Sequence, residues 1–368
     1  MPAARMSIRS RWVAVAVVPR VKNLRHIGAG SRPDALGDCP HPRCGKRFEV
    51  RDLALIPLWL VMKPAYALAP IALLFRVATL RGTLDWWTCR SRAELLEVLE
   101  RHLDEADGGP SPRRVARRYH QFRRRGALAR HWPQLQRFAG VERVEIDGLE
   151  HLDKALSRGQ GAILVTAHYG YARLIKPILR STGRPALLVG PSPQGRGPQD
   201  FPPFFTRFGS FVHTRLLNLP HASSLDGRWR DTVGVDLPAE LNLRPHVAAL
   251  KRNETLIILT DGRSVQALWP VPVLGIEVSF ASGAVSIARR AGAAVLPTFV
   301  VDDPERPCPS GLRLVICPPI DLQVSGDASA DSEVNLGRFA EVYEQQVRRH
   351  PHNWHWSWVS DGAFARPQ

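Results

Sequence analysis

The sequence predicts an α/β protein with a mixed, largely parallel sheet flanked by helices, behind an N-terminal membrane-associated helical segment. Three observations lead there. From residue 144 onward short apolar runs alternate with amphipathic ones, the pattern of strands joined by helical crossovers. Residues 53 to 75, "LALIPLWLVMKPAYALAPIALLF", carry one charge, Lys63. The formal net charge is +16 over 368 residues, mostly from arginine, which favours an anionic partner.

In chain order, residues 1–50 read as a basic, Gly- and Pro-rich tail without periodicity. The start lacks a small-residue cleavage site, so it is not read as a signal peptide. "CPHPRC", with Cys39, His41 and Cys44, lacks a clear second pair for zinc. Five scattered cysteines give no disulfide framework and fit a reducing compartment.

Residues 51–80 form the hydrophobic segment. It is long enough for a bilayer, but Lys63, Pro57, Pro64 and Pro70 favour a broken helix lying in one leaflet over a clean span; a buried core segment is the other reading. Residues 81–140 form a helical, basic region. "SRAELLEVLERHLDEA" carries a capping box, Ser91 with Glu94, and apolar Leu95, Leu99 and Leu103. "SPRRVARRYHQFRRRGALARHW" places Val115, Tyr119 and Phe122 on one helical face, with seven arginines between 113 and 125. That basic face is either merely solvated or turned toward lipid headgroups or an acidic carrier.

The α/β domain occupies residues 141–360. "GAILVTAHYG" is a glycine turn and an apolar strand; "YARLIKPILRSTG" supplies a helix and its stop. "PALLVG", "ETLIILTDG" and "AAVLPTFVV" are further strands.

The sequence contains no phosphate-binding G-x-x-x-x-G-K-[ST] loop, no G-x-S-x-G nucleophile elbow and no zincin histidine pair. What remains is His168, at the carboxyl end of an apolar strand, where ligands gather in open α/β sheets. It reads as a general base, a metal ligand or a strand terminator. A helix starting near Tyr169 and Gly170 is expected to present free backbone N–H groups there. Its dipole disfavours imidazolium, and its N–H groups are candidates for holding an oxyanion. Asp261 and Arg263 follow a second apolar strand and so share that sheet edge. A carboxylate at Asp261 orients the imidazole or binds the acceptor, and Arg263 suits phosphate; a plain Asp-Gly turn explains the pair equally well.

Together "GLEHLDKALSRGQGAILVTAHYG", the segment from "LKRNETLIILTDGRSV" to "AAVLPTFVV", and the closing "YEQQVRRHPHNWHWSW" resemble the late acyltransferases of lipid A biosynthesis, within the wider glycerolipid acyltransferase superfamily. The resemblance covers about residues 53 to 358. It implies acyl transfer from acyl carrier protein or coenzyme A to a hydroxyl of a glycolipid or phospholipid, at the cytoplasmic face of the bacterial inner membrane. No cofactor is implied. His168 matches the family's catalytic histidine and Asp261 the acid after the later strand. Gly275 and Pro297 match positions that shape the acyl and acceptor clefts.

One departure stands out. The family pattern puts an acid five residues after the histidine, where this chain has Arg173, a side chain that only donates hydrogen bonds. Three answers stay open: Asp261 or another acid substitutes, a backbone carbonyl orients the ring, or the chain binds lipid without turning it over. Arg173 and Arg263 are then expected to engage phosphate on acceptor or donor. Nucleic acid is set aside as partner, because no recognised binding module accompanies the charge. Trp354, Trp356 and Trp358 either sit at the membrane interface or close the core.

Overall fold

The computed structural model describes residues 71–103, 109–129, 144–190, 237–238, 242–261, 268–303, 311–356 and 359. The tail with Cys39, His41 and Cys44, most of the hydrophobic segment, Arg263 and Trp358 lie outside them.

Nine strands are described: β1 Glu145–Asp147, β2 Ala162–Thr166, β3 Ala186–Gly190, β4 Leu237–Pro238, β5 Thr255–Leu259, β6 Leu268–Val273, β7 Ile276–Ala281, β8 Ala294–Asp302 and β9 Leu312–Ile316. Seven form one sheet in the order β1-β9-β8-β2-β5-β3-β4. Every neighbouring pair is parallel except β8 and β9. β2 is central and fully buried along its length, which is why "AILVT" is a continuous apolar run and not an alternating one. β6 and β7 form a separate antiparallel hairpin.

The crossovers are α4 Leu149–Leu156, α5 Ile175–Ser181, α6 Arg244–Lys251 and α7 Gly283–Ala291. α8, Ala328–Arg349, covers the sheet with a row of aromatic rings. Phe339 and Tyr343 stack at 5.9 Å, and Tyr343 meets Tyr169, Phe280 and Trp354 edge-on. Asp327 caps α8 by accepting from the N–H groups of Ser329 and Ala330. Trp354 and Trp356 are both fully buried, so these two close the core; neither reaches the surface.

Before the sheet come α1 Ile71–Thr88, α2 Arg92–His102 and α3 Pro112–Ala129. α1 runs straight through residue 80, where the hydrophobic segment was expected to end. The capping box at Ser91 is not made: its hydroxyl accepts no cap hydrogen bond and lies beside Cys89. α1 and α3 cross closely at Gly82, where a Cβ would stand 2.4 Å from the Gln121 α-carbon. On α3, Val115, Tyr119 and Phe122 are buried as their spacing predicts. Arg125 is not part of the exposed arginine face. It is buried, with Nη2 2.8 Å from Asp302 on β8 and its guanidinium over the Phe75 ring.

The opposite side of α1 is apolar and uncovered. Leu73, Val77, Leu80, Leu84 and Trp87, spaced alternately four and three residues, are each at least half exposed. Among the described residues no helix is long and apolar enough to cross a membrane.

Candidate active site

The β2–β5 register pairs Thr166 with Leu259, so His168 and Asp261 each stand two residues beyond that pair. The alignment is held past the strand ends, where the Thr260 N–H and hydroxyl both donate to the Thr166 carbonyl, at 2.9 and 3.0 Å. Two side chains remote in sequence therefore meet at the carboxyl edge of the sheet.

Their contact is bidentate. His168 Nδ1 is 2.8 Å from Asp261 Oδ1, and the His168 backbone N–H donates to Asp261 Oδ2 at 2.6 Å. The Asp261 side chain is almost fully buried, whereas about a third of the His168 side chain is exposed. A carboxylate accepts, so this network assigns the proton of a neutral His168 to Nδ1. Nε2 then carries the lone pair, the form a general base needs. Of the three answers left open by Arg173, the geometry matches the first: a carboxylate from β5 holds the ring. Arg173 itself is exposed on the 3₁₀ turn Ala172–Leu174.

The expected N–H cradle is not there. No helix starts at Tyr169; the chain makes that 3₁₀ turn and then the seven-residue α5. The N–H groups of Tyr169, Gly170 and Tyr171 donate to the carbonyls of Ala167, Asn353 and Val300, at 2.7, 2.9 and 2.8 Å. They are spent on the fold and cannot hold an oxyanion.

Tyr169 and Gly170, expected to touch substrate, are structural instead. The Tyr169 ring is fully buried, and its hydroxyl donates toward the Gln346 and His350 carbonyls at the end of α8. Gly170 has φ +57°, and a Cβ there would lie 2.0 Å from the Val300 carbonyl oxygen. It is glycine because β8 passes too close for anything else.

The two residues assigned to cleft shaping have other surroundings. Gly275 shares with Leu274 the tip of the β6–β7 hairpin, both at positive φ, the geometry that two-residue hairpin turns demand. The neighbouring Leu274 accepts from His102 and donates to Glu344, while Gly275 is exposed with open space at its Cβ position. Pro297 lies inside β8, level with Val165 and below the edge that carries His168; its carbonyl accepts from Cys317. Among the described residues no group of three metal-ligating side chains is present.

Sequence reading missed His355. An antiparallel bridge joins Tyr169 to Trp354, and Gly170 donates across it to Asn353. His168 and His355 stand one residue to either side of that bridge, and both His168 and Asp261 act electrostatically on the His355 imidazole. Both histidines are half-buried. The His355 ring is 6.4 Å from that of Phe122 on α3. Burial first, and then repulsion by His168 whenever it is protonated and by Arg123, push the His355 imidazole down to about 4, with Asp261 opposing. The signal was "WHW": a titratable residue set between two tryptophans that both enter the core.

The fold is that of an α/β protein with a carboxylate-held histidine at the carboxyl edge of a largely parallel sheet. Residues 220–357 match the family of bacterial lipid A biosynthesis acyltransferases, in agreement with the resemblance read from the sequence, and this family domain supports an acyltransferase activity. The matched span includes Asp261 and the 351–356 segment, while His168 lies before it. No curated protein matches the chain.

Proposed function

We propose that the chain is a membrane-associated O-acyltransferase that moves a fatty acyl group from an acyl thioester to a lipid or glycolipid hydroxyl. The observation that carries this reading is the Asp261–His168 pair at the sheet edge. His168 Nε2 takes the proton of the acceptor hydroxyl as its oxygen bonds to the thioester carbonyl carbon. The carbonyl π pair moves onto oxygen, and collapse of that tetrahedral species expels the thiolate, which leaves with the proton from His168. The products are an ester and a free thiol. Asp261 keeps the ring in the right tautomer and stabilises the transient imidazolium, as the buried acid does in serine-protease triads.

The donor is an acyl carrier protein or coenzyme A thioester. The exposed arginines on α3, Arg113, Arg117, Arg123 and Arg124 among them, suit an acidic carrier or anionic lipid. Membrane association rests on the uncovered stripe of α1, which continues the nearly uncharged segment before it. Contiguous exposed apolar surface of this kind marks an interaction site, and the basic surface of neighbouring α3 complements anionic headgroups. The cytoplasmic leaflet of the bacterial inner membrane meets both requirements. A non-catalytic lipid-binding relative was favoured by Arg173; it loses that support once a carboxylate holds the histidine.

Comparative lipid mass spectrometry of cells expressing wild type, His168→Ala or neither tests the proposal. A lipid one acyl group heavier in the wild type alone is expected. Identical profiles in all three, with the protein folded and membrane-bound, would overturn it.

A further inference from the structure

The oxyanion in that mechanism needs a hydrogen-bond donor, and the three backbone N–H groups beside His168 are already bonded to carbonyls. We propose that His355 is a second catalytic residue, whose neutral imidazole donates its N–H to the oxygen of the thioester carbonyl as it becomes the oxyanion. This assignment rests on the acyltransferase reading.

Register comes first. The Tyr169–Trp354 bridge sets His355 across from His168, and the His355 imidazole feels both His168 and Asp261. An acyl carbonyl attacked by an oxygen that His168 deprotonates would then lie beside both residues.

Protonation comes second. His168 is already committed to removing a proton, so a partner competing as an equally basic imidazole would defeat it. Burial, with the charge of Arg123 adding to it, keeps His355 neutral at any pH near 7. A neutral imidazole has one N–H to give and serves elsewhere as the electrophile toward a carbonyl oxygen. The two histidines flanking that bridge thereby divide the work: Asp261 makes the first a base, and burial makes the second a donor.

Rigidity comes third. A useful donor must not reorganise during reaction. His355 is bracketed by the fully buried Trp354 and Trp356, and the Trp356 indole N–H donates to the Pro351 carbonyl at 2.7 Å. Phe122 of α3 lies against its ring.

The test uses the detergent-solubilised full chain, lauroyl thioesters of coenzyme A and of acyl carrier protein, and an inner-membrane lipid extract as acceptor. Wild type, His168→Ala, His355→Ala and His355→Gln are compared for labelled lipid product and melting temperature. Loss of one oxyanion donor costs about 10²- to 10³-fold in kcat. His355→Ala is expected to lose that much with KM little changed and melting within a few degrees of wild type. His355→Gln, which restores an N–H donor, is expected to recover at least tenfold of it. Product from His355→Ala within threefold of wild type, with His168→Ala inactive, overturns the assignment and leaves the acyltransferase standing. Equal losses in both His355 variants together with a collapse in melting temperature also overturn it, as a packing role. No product from wild type, or full product from His168→Ala, overturns the acyltransferase reading and the role of His355 with it.

Discussion

Replacing Asp261 by Asn separates orientation from charge at almost constant volume. In the native site both carboxylate oxygens face N–H groups of the same residue, the backbone N–H and Nδ1 of His168. The amide of Asn has one oxygen. The backbone N–H has no alternative to donating, so the amide oxygen is drawn to it and the NH₂ group is left facing Nδ1. Nδ1 must then accept, and the proton moves to Nε2, the nitrogen that has to be free. The variant thus holds His168 in place but in the wrong tautomer. The same substitution in the serine-protease triad lowers the rate about 10⁴-fold, which corresponds to about 5.5 kcal/mol of transition-state stabilisation. A fall of 10³- to 10⁴-fold in kcat is expected, measured as labelled lipid formed from a lauroyl thioester under saturating donor. Melting should change little, since a buried carboxylate is exchanged for a neutral group of the same shape. Activity within tenfold of wild type, in a folded variant, would show that Asp261 does not set the tautomer.

Further outcomes concern stability and surface. Burial pushes His352 from 6.5 down to about 4, with Arg118 and His350 adding to the fall and the Asp302 carbonyl and Asp303 opposing it. The folded chain therefore binds this proton later than the unfolded one. Its contribution is intact above pH 6.5 and is lost as pH falls toward 4, about 3 kcal/mol in all. Thermal melts across that range should record the loss, less steeply in His355→Gln, where a second buried imidazole is absent. Gly170→Ala should cost at least about 3 kcal/mol, from left-handed backbone and the Val300 carbonyl together, read as a drop in melting temperature. Arg125→Met strands Asp302 without its cation, typically a loss of about 3 kcal/mol or more. Burial holds Asp302 up at about 6, so protonation relieves the variant in acid, and denaturant titration should find it weaker at pH 8 than at pH 5. Leu80→Glu with Leu84→Glu should reduce binding to anionic vesicles about 100-fold, since each leucine kept out of lipid forfeits roughly 1.5 kcal/mol.

The strands were legible because the sheet is buried on both faces: "AILVT", "TLIIL" and "VLPTFVV" are mostly apolar runs without polar alternation, and the ends of the first two mark the edge where His168 and Asp261 emerge. The pairing of those two residues was legible only as a shared edge. Their contact depends on β5 lying directly beside β2, and strand order is a property of long-range packing that no local pattern carries. The free N–H groups at Tyr169 were misjudged for a similar reason. Local sequence looks like a strand followed by a helix, but β8 and the 351–353 turn reach across from more than a hundred residues away and take those donors. Gly275 was assigned to a cleft by the resemblance alone, and the structure puts it at a hairpin turn. Arg125 was hidden in a run of arginines, because nothing nearby in sequence announces the buried Asp302 that draws it inward.

The position of the acid changes what His168 depends on. An acid five residues after the histidine would lie on the same turn as the base, and its geometry would be local. Here the turn carries Arg173, and the carboxylate comes from the end of β5. Correct orientation of the base then requires correct β2–β5 pairing, since a slip of one residue would turn Asp261 to the other face of the sheet. His355 reaches the site by the same kind of long-range bridge, from the last described turn of the chain. Three segments separated by about ninety residues each must dock before base, orienting acid and donor meet. Orientation of His168 is thus tied to the β2–β5 pairing, and the approach of His355 to the separate docking of residues 351–356.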